Sequence, residues 1–414
     1  MNSRLVLAMA ISIACLRPAH AWINAPDLPP APAVKKALLD HPSVREAALQ
    51  LPLEQANRRR LAAGPYEYNV NVAGQRRKVN EPPDQFNEWA VGVDRTLRLP
   101  GKAKLDATLG DQGLVRAQLA YGNAIQSTAR TLLKAWFGWL REKAQAGEWQ
   151  TQLAVLREQL RVTALRAKKG DAAKLDVGLM EAAVAQADFA LKQAQARERV
   201  AANEVAVQFP PIPLSEQAPR PVPEPLAQGL DYWRERVQQG SYELQLARAE
   251  SERLRLTGAR AAAERTPDPT VGLRYGSERG GDERIVTLNL SIPIPSAARS
   301  AAASAARTEW QMAAQREANV LQRLNTEAAN QYVQAQGAYD SWQSMRVAAD
   351  RMQSNADLTA RAYQLGERGM LDVLVARRQL VEARLAARLA EIDAAEARYR
   401  LLLEANELWP MPAQ

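Results

Sequence analysis

Apolar and polar residues alternate one by one in the first quarter of the chain. Tyr66, Tyr68, Val70 and Val72 are separated by Glu67, Asn69 and Asn71, the period-two pattern of a strand with one apolar face. A polar stretch at 74–87, containing Pro82 and Pro83, reads as a loop. The alternation resumes with Trp89, Val91 and Val93 against Ala90, Gly92 and Asp94, and runs through Leu97 and Leu99 with Arg95 as an exception on the apolar face. Pro100 stops it, because proline lacks the N–H a strand needs and its φ suits the first turn of a helix. The period then changes. Ile125, Ala129, Leu132, Trp136 and Leu140, continued by Leu153, Leu156 and Leu160, step by threes and fours over a proline-free stretch. That spacing predicts a coiled-coil helix over ~102–169, roughly 100 Å long at 1.5 Å per residue. Gly170 suits its left-handed C-cap, and a return helix follows over ~173–208 with Val184, Ala187, Leu191 and Ala194 on one face.

The second half repeats the plan. Before the first strands, residues 22–33 are rich in Pro and Ala and read as extended, and Pro42 opens a helix to about Ala63, loosened by Pro52. Pro219, Pro221, Pro223 and Pro225 then make a linker that cannot be regular helix. The second copy has a helix over 226–263, weakened near Gly240, strands over ~270–276 and ~284–294, and long helices over ~297–365 and ~371–408. The helix turns match most closely. Gly170, then Leu175, Asp176 and Val177, returns as Gly366, then Leu371, Asp372 and Val373. From Pro100 to Gly170 is 70 residues, and from Pro295 to Gly366 is 71. The chain therefore divides into a first repeat, 22–212, and a second, 213–414. A unit this long exceeds the period of about 20–50 residues seen in solenoids and reads as a duplication.

Composition narrows the chemistry. Arg4, the apolar run from residue 5 to 16 and Ala19-His20-Ala21 form an export signal over 1–21. A lipoprotein signal acylated at Cys15 is the alternative. After cleavage no cysteine is left and His41 is the one histidine, which excludes disulfides, Cys/His metal sites and thiol chemistry. Nucleophile–base catalysis has almost nothing to work with; a carboxylate-pair hydrolase stays formally open. The net charge is +8, and loss of Arg4 and Arg17 leaves +6. Nucleic acid is not an expected partner of an exported chain, despite Arg58-Arg59-Arg60 and Arg76-Arg77-Lys78.

The predicted fold class is mainly α with a small β contribution. Four amphipathic strands cannot close a barrel alone, since about eight are the usual minimum. A homo-oligomer that pools strands resolves this, and three chains give twelve. A membrane is then the natural setting, because only helices and closed barrels satisfy all backbone groups in lipid. A soluble sheet packed on the helices is the alternative.

The duplicated plan, His41-Pro42, Leu99-Pro100-Gly101-Lys102 and the doubled Gly-x4-Leu-Asp-Val turn resemble the TolC-type outer-membrane efflux proteins, closest to the CzcC-like heavy-metal branch. The resemblance covers essentially all of the mature chain. It implies a homotrimer with a twelve-stranded barrel in the outer membrane and a helical tunnel across the periplasm. Its partners would be a periplasmic adaptor, an inner-membrane RND-type transporter and outer-membrane lipid or lipopolysaccharide. It implies a duct without catalytic residues, cofactor or metal site, passing heavy-metal cations, with drugs or small organic compounds as the alternative cargo. An adaptor is the rival class, but adaptors have one helical hairpin. Carried over residue by residue, Asp372, its counterpart Asp176 and the basic Arg368 would form the periplasmic aperture. Gly170, Leu175, Val177, Gly366, Leu371 and Val373 would mark the adaptor-contact tips. Some relatives carry a second acidic residue where this chain has Val375. Lys168, Lys169 and Lys174 crowd the first tip, and the 74–87 loop would face outside the cell.

Overall fold

The computed structural model describes residues 25–216 and 219–409; the expected export signal, with Cys15, lies outside the described residues. Short helix α1 (Ala31–Asp40) precedes α2 (Pro42–Ala63). The break between them is local chemistry. Pro42 sits at the first position of α2, and His41 Nδ1 accepts the Ser43 N–H at 3.4 Å. Helix α1 begins at Ala31, inside the stretch 22–33 expected to be extended. Strands β1 (Asn69–Asn80) and β2 (Pro83–Thr96) lead to α3 (Pro100–Lys168) and α4 (Lys174–Gln208). The second half supplies α5 (Leu230–Gly240), α6 (Tyr242–Ala263), β3 (Thr270–Glu278), β4 (Glu283–Ser291), α7 (Ala297–Gln364) and α8 (Met370–Glu404).

The strands form one antiparallel sheet in the order β1-β2-β3-β4, so β1 and β4 are free edges within the chain. The polar stretch 74–87 is not a loop. Its residues pair across a hairpin from Gly74↔Trp89 to Asn80↔Pro83, leaving only Glu81 and Pro82 as the turn. Pro83 is tolerated there because it opens the strand. At the other end β2 stops at Thr96 rather than Leu99. The N–H of Leu97 goes to Pro269 O at 2.8 Å, and that of Leu99 goes to the Asp268 carboxylate at 3.1 Å. Likewise β4 ends at Ser291, ahead of Pro293 and Pro295, which have no N–H to give.

Each long helix changes its main partner along its length. α3 packs on α2 near the sheet and on α4 beyond; α7 packs on α6 and then on α8. α3, of 69 residues, spans roughly 100 Å. The main core lies where α1, α5 and the ends of α4 and α8 wrap the middle of α3. There Leu38, Leu132, Phe137, Phe209, Leu401 and Leu408 are fully buried. Asp27 pins this collar: its backbone oxygen accepts Trp136 Nε1–H at 2.9 Å and its carboxylate accepts the Tyr399 hydroxyl at 2.8 Å. Burial, then the Asp27 charge, pushes the Tyr399 hydroxyl well above its ordinary pKa. Away from the collar the helices bury small residues such as Ala313, Ala335, Ala349 and Ala356. No helix among the described residues is long and apolar enough to cross a membrane.

Candidate functional site: hairpin tips, junction and sheet

The two helix turns are built alike. In the first, Gly170 has φ +87°, its N–H bonds to Ala167 O at 3.1 Å, and Asp171 N–H reaches Arg166 O at 2.9 Å. In the second, Gly366 has φ +80°, its N–H bonds to Tyr363 O at 3.1 Å, and Glu367 N–H reaches Ala362 O at 2.9 Å. Both are Schellman closures, and their positive φ is why glycine stands there. Leu175 and Leu371 then project into solvent, 71% and 62% exposed. Below them Met180, Met370, Val373, Leu153 and Leu156 form a small core that ties hairpin to hairpin, while Val177 is half-buried.

The two aspartates occupy the same position, third in their helices, but do different things. Asp372 accepts the N–H of Gly369 at 3.3 Å, capping its own helix. Asp176 instead accepts the Tyr363 hydroxyl at 3.3 Å, across to the other hairpin. The Arg166 guanidinium lies over the Tyr363 ring, 5.3 Å from its centroid. Burial, then the Asp176 charge, raises the Tyr363 pKa. Tyr363 and Arg166 were not singled out from the sequence. Tyr363 lies 187 residues from Asp176 and on the other hairpin from Arg166, and no local pattern joins the three. Arg368 and the lysines Lys168, Lys169 and Lys174 are exposed, and Arg368 has no ion-pair partner within the chain among the described residues. The structure thus joins Asp176 to Tyr363 and leaves Asp372 and Arg368 apart.

At the opposite end, the Leu99-Pro100-Gly101-Lys102 run forms the junction between sheet and helices. Lys102 is 2% exposed, and its Nζ reaches Asp268 at 3.0 Å and Glu264 at 3.1 Å. Asp268 also accepts the Tyr66 hydroxyl at 2.8 Å. Burial pushes the Asp268 carboxyl up, but the bonds from Leu99 N–H, Tyr66 and Lys102 outweigh it and hold the pKa below its ordinary 3.8. Tyr66 is pushed up to about 12 by burial and by Asp268. Arg98 and Arg260 share Asp106 at 2.9 and 2.6 Å, and Arg299 bonds Glu264 O at 2.7 Å. The network joins the entry and exit of both strand pairs.

The sheet presents one apolar face. Cross-strand register puts Val70, Val93, Leu273 and Leu288 in one row and Val72, Val91, Tyr275 and Val286 in the next, all on the same side. These side chains are exposed, from 39% at Val91 to 76% at Val72. Trp89 meets Tyr275 edge-on at 5.8 Å at the rim. The other face carries Asn69, Asn71, Asp94, Arg274, Thr287 and Asn289. Among the described residues no cluster of three His, Cys, Asp or Glu could hold a metal ion.

Comparison with known proteins agrees with this geometry. Residues 233–405 match the family model described as outer membrane efflux protein. No curated protein matches by sequence. Among solved structures, the outer-membrane channel OprN superposes with a TM-score of 0.76 over 92% of this chain and 90% of its own, at 18% identity. CusC, described for its transmembrane channel formation, gives 0.73 over 90% and 91%, at 15% identity. The open state of the Neisseria gonorrhoeae MtrE outer membrane channel gives 0.73 over 93% and 90%, at 18% identity. The fold of this chain is that of these channels: mainly helical, with a small sheet at one end.

Proposed function

We propose that this protein is the outer-membrane exit duct of a tripartite efflux system, working as a homotrimer. The observation that carries the reading is the sheet. A face this apolar and this exposed, with two open edges, is a liability in a soluble monomer. Three copies joined edge to edge give a closed twelve-stranded barrel whose apolar face meets lipid. The polar face then lines the lumen. A stripe of exposed apolar residues on α4, Phe189, Val200 and Val207 at 68–70% exposure, supports helical contact between copies along the tunnel. The helices would carry the tunnel into the periplasm, and the tips, with Gly170, Leu175, Val177, Gly366, Leu371 and Val373, would meet an adaptor and an RND-type pump.

Three copies of Asp372, with Asp176 and Arg368, would surround the aperture and favour cations. Asp372→Asn is expected to lower the cation preference of single channels in planar bilayers. An unchanged preference leaves Asp372 as a helix-capping charge only. Heavy-metal cations are the proposed cargo, on the resemblance of the Leu99-Pro100-Gly101-Lys102 run. A deletion strain sensitised to metal salts but not to drugs supports it, and the reverse pattern assigns organic cargo. The duct itself is tested by fractionation: recovery from the outer membrane as a detergent-extracted trimer is expected. A soluble periplasmic monomer would sink the proposal.

A further inference from the structure

The strands sort their charges by face. Their five carboxylates, Asp84, Glu88, Asp94, Glu278 and Glu283, all fall on the polar side by register. On the apolar side there is no carboxylate, but there are four cations. Arg95 stands at the helix end, bonded to the Tyr68 hydroxyl at 2.9 Å. Arg76, Lys78 and Arg284 stand at the hairpin end and are exposed. The Arg76-Arg77-Lys78 run is thereby split. Arg77 points to the polar side and is neutralised by Glu88 at 3.1 Å and Glu278 at 2.6 Å. Among the described residues, Arg76 bonds only the neutral Gln85, and Lys78 and Arg284 have no carboxylate partner.

Height along the strands gives these cations a setting. Arg284 lies in the row of Trp89, through Trp89↔Ser277 and Ser277↔Arg284. Arg76 and Lys78 lie two and four residues further out, ~7 and ~14 Å at 3.4 Å per residue. From the Arg76 row to the Arg95 row is ~27 Å along β2, which a tilt of ~40° shortens to ~21 Å across the bilayer. That is close to the ~25 Å apolar band of such barrels. Arg284 therefore sits at the aromatic rim and Arg76 and Lys78 beyond it, where headgroups begin.

We infer that Arg76, Lys78 and Arg284 form a docking strip for the phosphate groups of lipids in the outer leaflet. The inference rests on the outer-membrane channel reading. Charge complementarity selects the occupant. Unneutralised cations continuous with an acyl-facing surface fit a phosphorylated lipid, whose tails lie on Val72, Val91 and Tyr275 while its phosphates meet the strip. Closing the barrel brings β4 of one copy beside β1 of the next, so Arg284 and the Arg76–Lys78 pair would meet at each seam.

The test uses the purified full-length trimer, with native mass spectrometry against lipid A carrying its phosphates, the same lipid dephosphorylated, and inorganic phosphate. The phosphorylated lipid is expected to bind roughly tenfold or more tightly than the dephosphorylated one. Arg76→Gln/Lys78→Gln/Arg284→Gln should erase that difference, and Arg274→Gln, a strand cation on the polar face, should keep it. Equal binding of both lipids by the native protein overturns the inference. So does a preference that survives the triple substitution, or one that inorganic phosphate removes at equal concentration. Single-channel conductance is recorded for every variant. Conducting trimers without phosphate preference remove this inference alone, whereas a native chain that forms no channel removes the channel reading and this inference with it.

Discussion

Lys102 shows how much a single residue holds at the junction. Its ammonium is buried between Asp268 and Glu264, so Lys102→Met would leave a buried carboxylate unpaired. Removing one partner of such a pair costs on the order of 3 kcal/mol, expected as a lower denaturation midpoint of the detergent-solubilised protein. The Asp268 pKa is depressed below 3.8 in the folded state. Its contribution is thus fully present above pH 3.8 and is lost as pH falls through the lower folded value. Lys102→Met weakens that depression, so acid unfolding should begin at a higher pH than in the native chain. At the tip, Tyr363→Phe keeps the ring under Arg166 and removes only the hydroxyl that bonds Asp176. The hairpins are then held less firmly, and a higher open probability in single-channel recordings is expected. An unchanged probability would show that this bond does not hold the tips. The Lys102 run was visible in the sequence as a motif after a strand, but its partners were not. Asp268 and Glu264 lie more than 160 residues away, and nothing local marks them.

Elements were legible where one period persisted. The long helices begin and end within two residues of expectation, apart from the end of α8, because their apolar spacing is unbroken and glycine closes both turns. The hairpin of β1 and β2 was read as a loop over 74–87 because its outer part carries charge or amide on both faces. No apolar alternation is left to see there. Gly240 was legible as a weak point but not as a contact. The helix breaks at Ser241, whose hydroxyl accepts Leu244 N–H at 3.2 Å and starts α6. A Cβ on Gly240 would stand 2.6 Å from Ala405 O and 2.8 Å from its carbonyl carbon, at the end of α8. Backbone cannot give way as a flexible side chain does, so Gly240→Ala should push α5 off the collar. Overpacking of this kind costs about 1–3 kcal/mol, measurable as a lower thermal midpoint.

At the scale of the whole molecule, the two faces of the sheet make opposite demands. Leu288 and Asn289 are neighbours on β4 but point to opposite sides. Leu288 pairs with Leu273 in the row that also holds Val93 and Val70, and Asn289 pairs with Gly272, beside Asp94. If the apolar face meets lipid, Leu288→Arg puts a charge near mid-bilayer, at about 2–4 kcal/mol per copy. Repeated round a trimer, that penalty should empty the outer membrane of folded protein. Asn289→Arg adds the same charge to the water-lined face, near the Asp94 carboxylate, and should leave assembly close to native. The measurement is the amount of folded trimer in outer-membrane fractions. If the sheet instead packed on the helices in a soluble protein, the two substitutions would not divide in this way. Equal recovery of both variants would therefore count against the barrel itself rather than against any one residue in it.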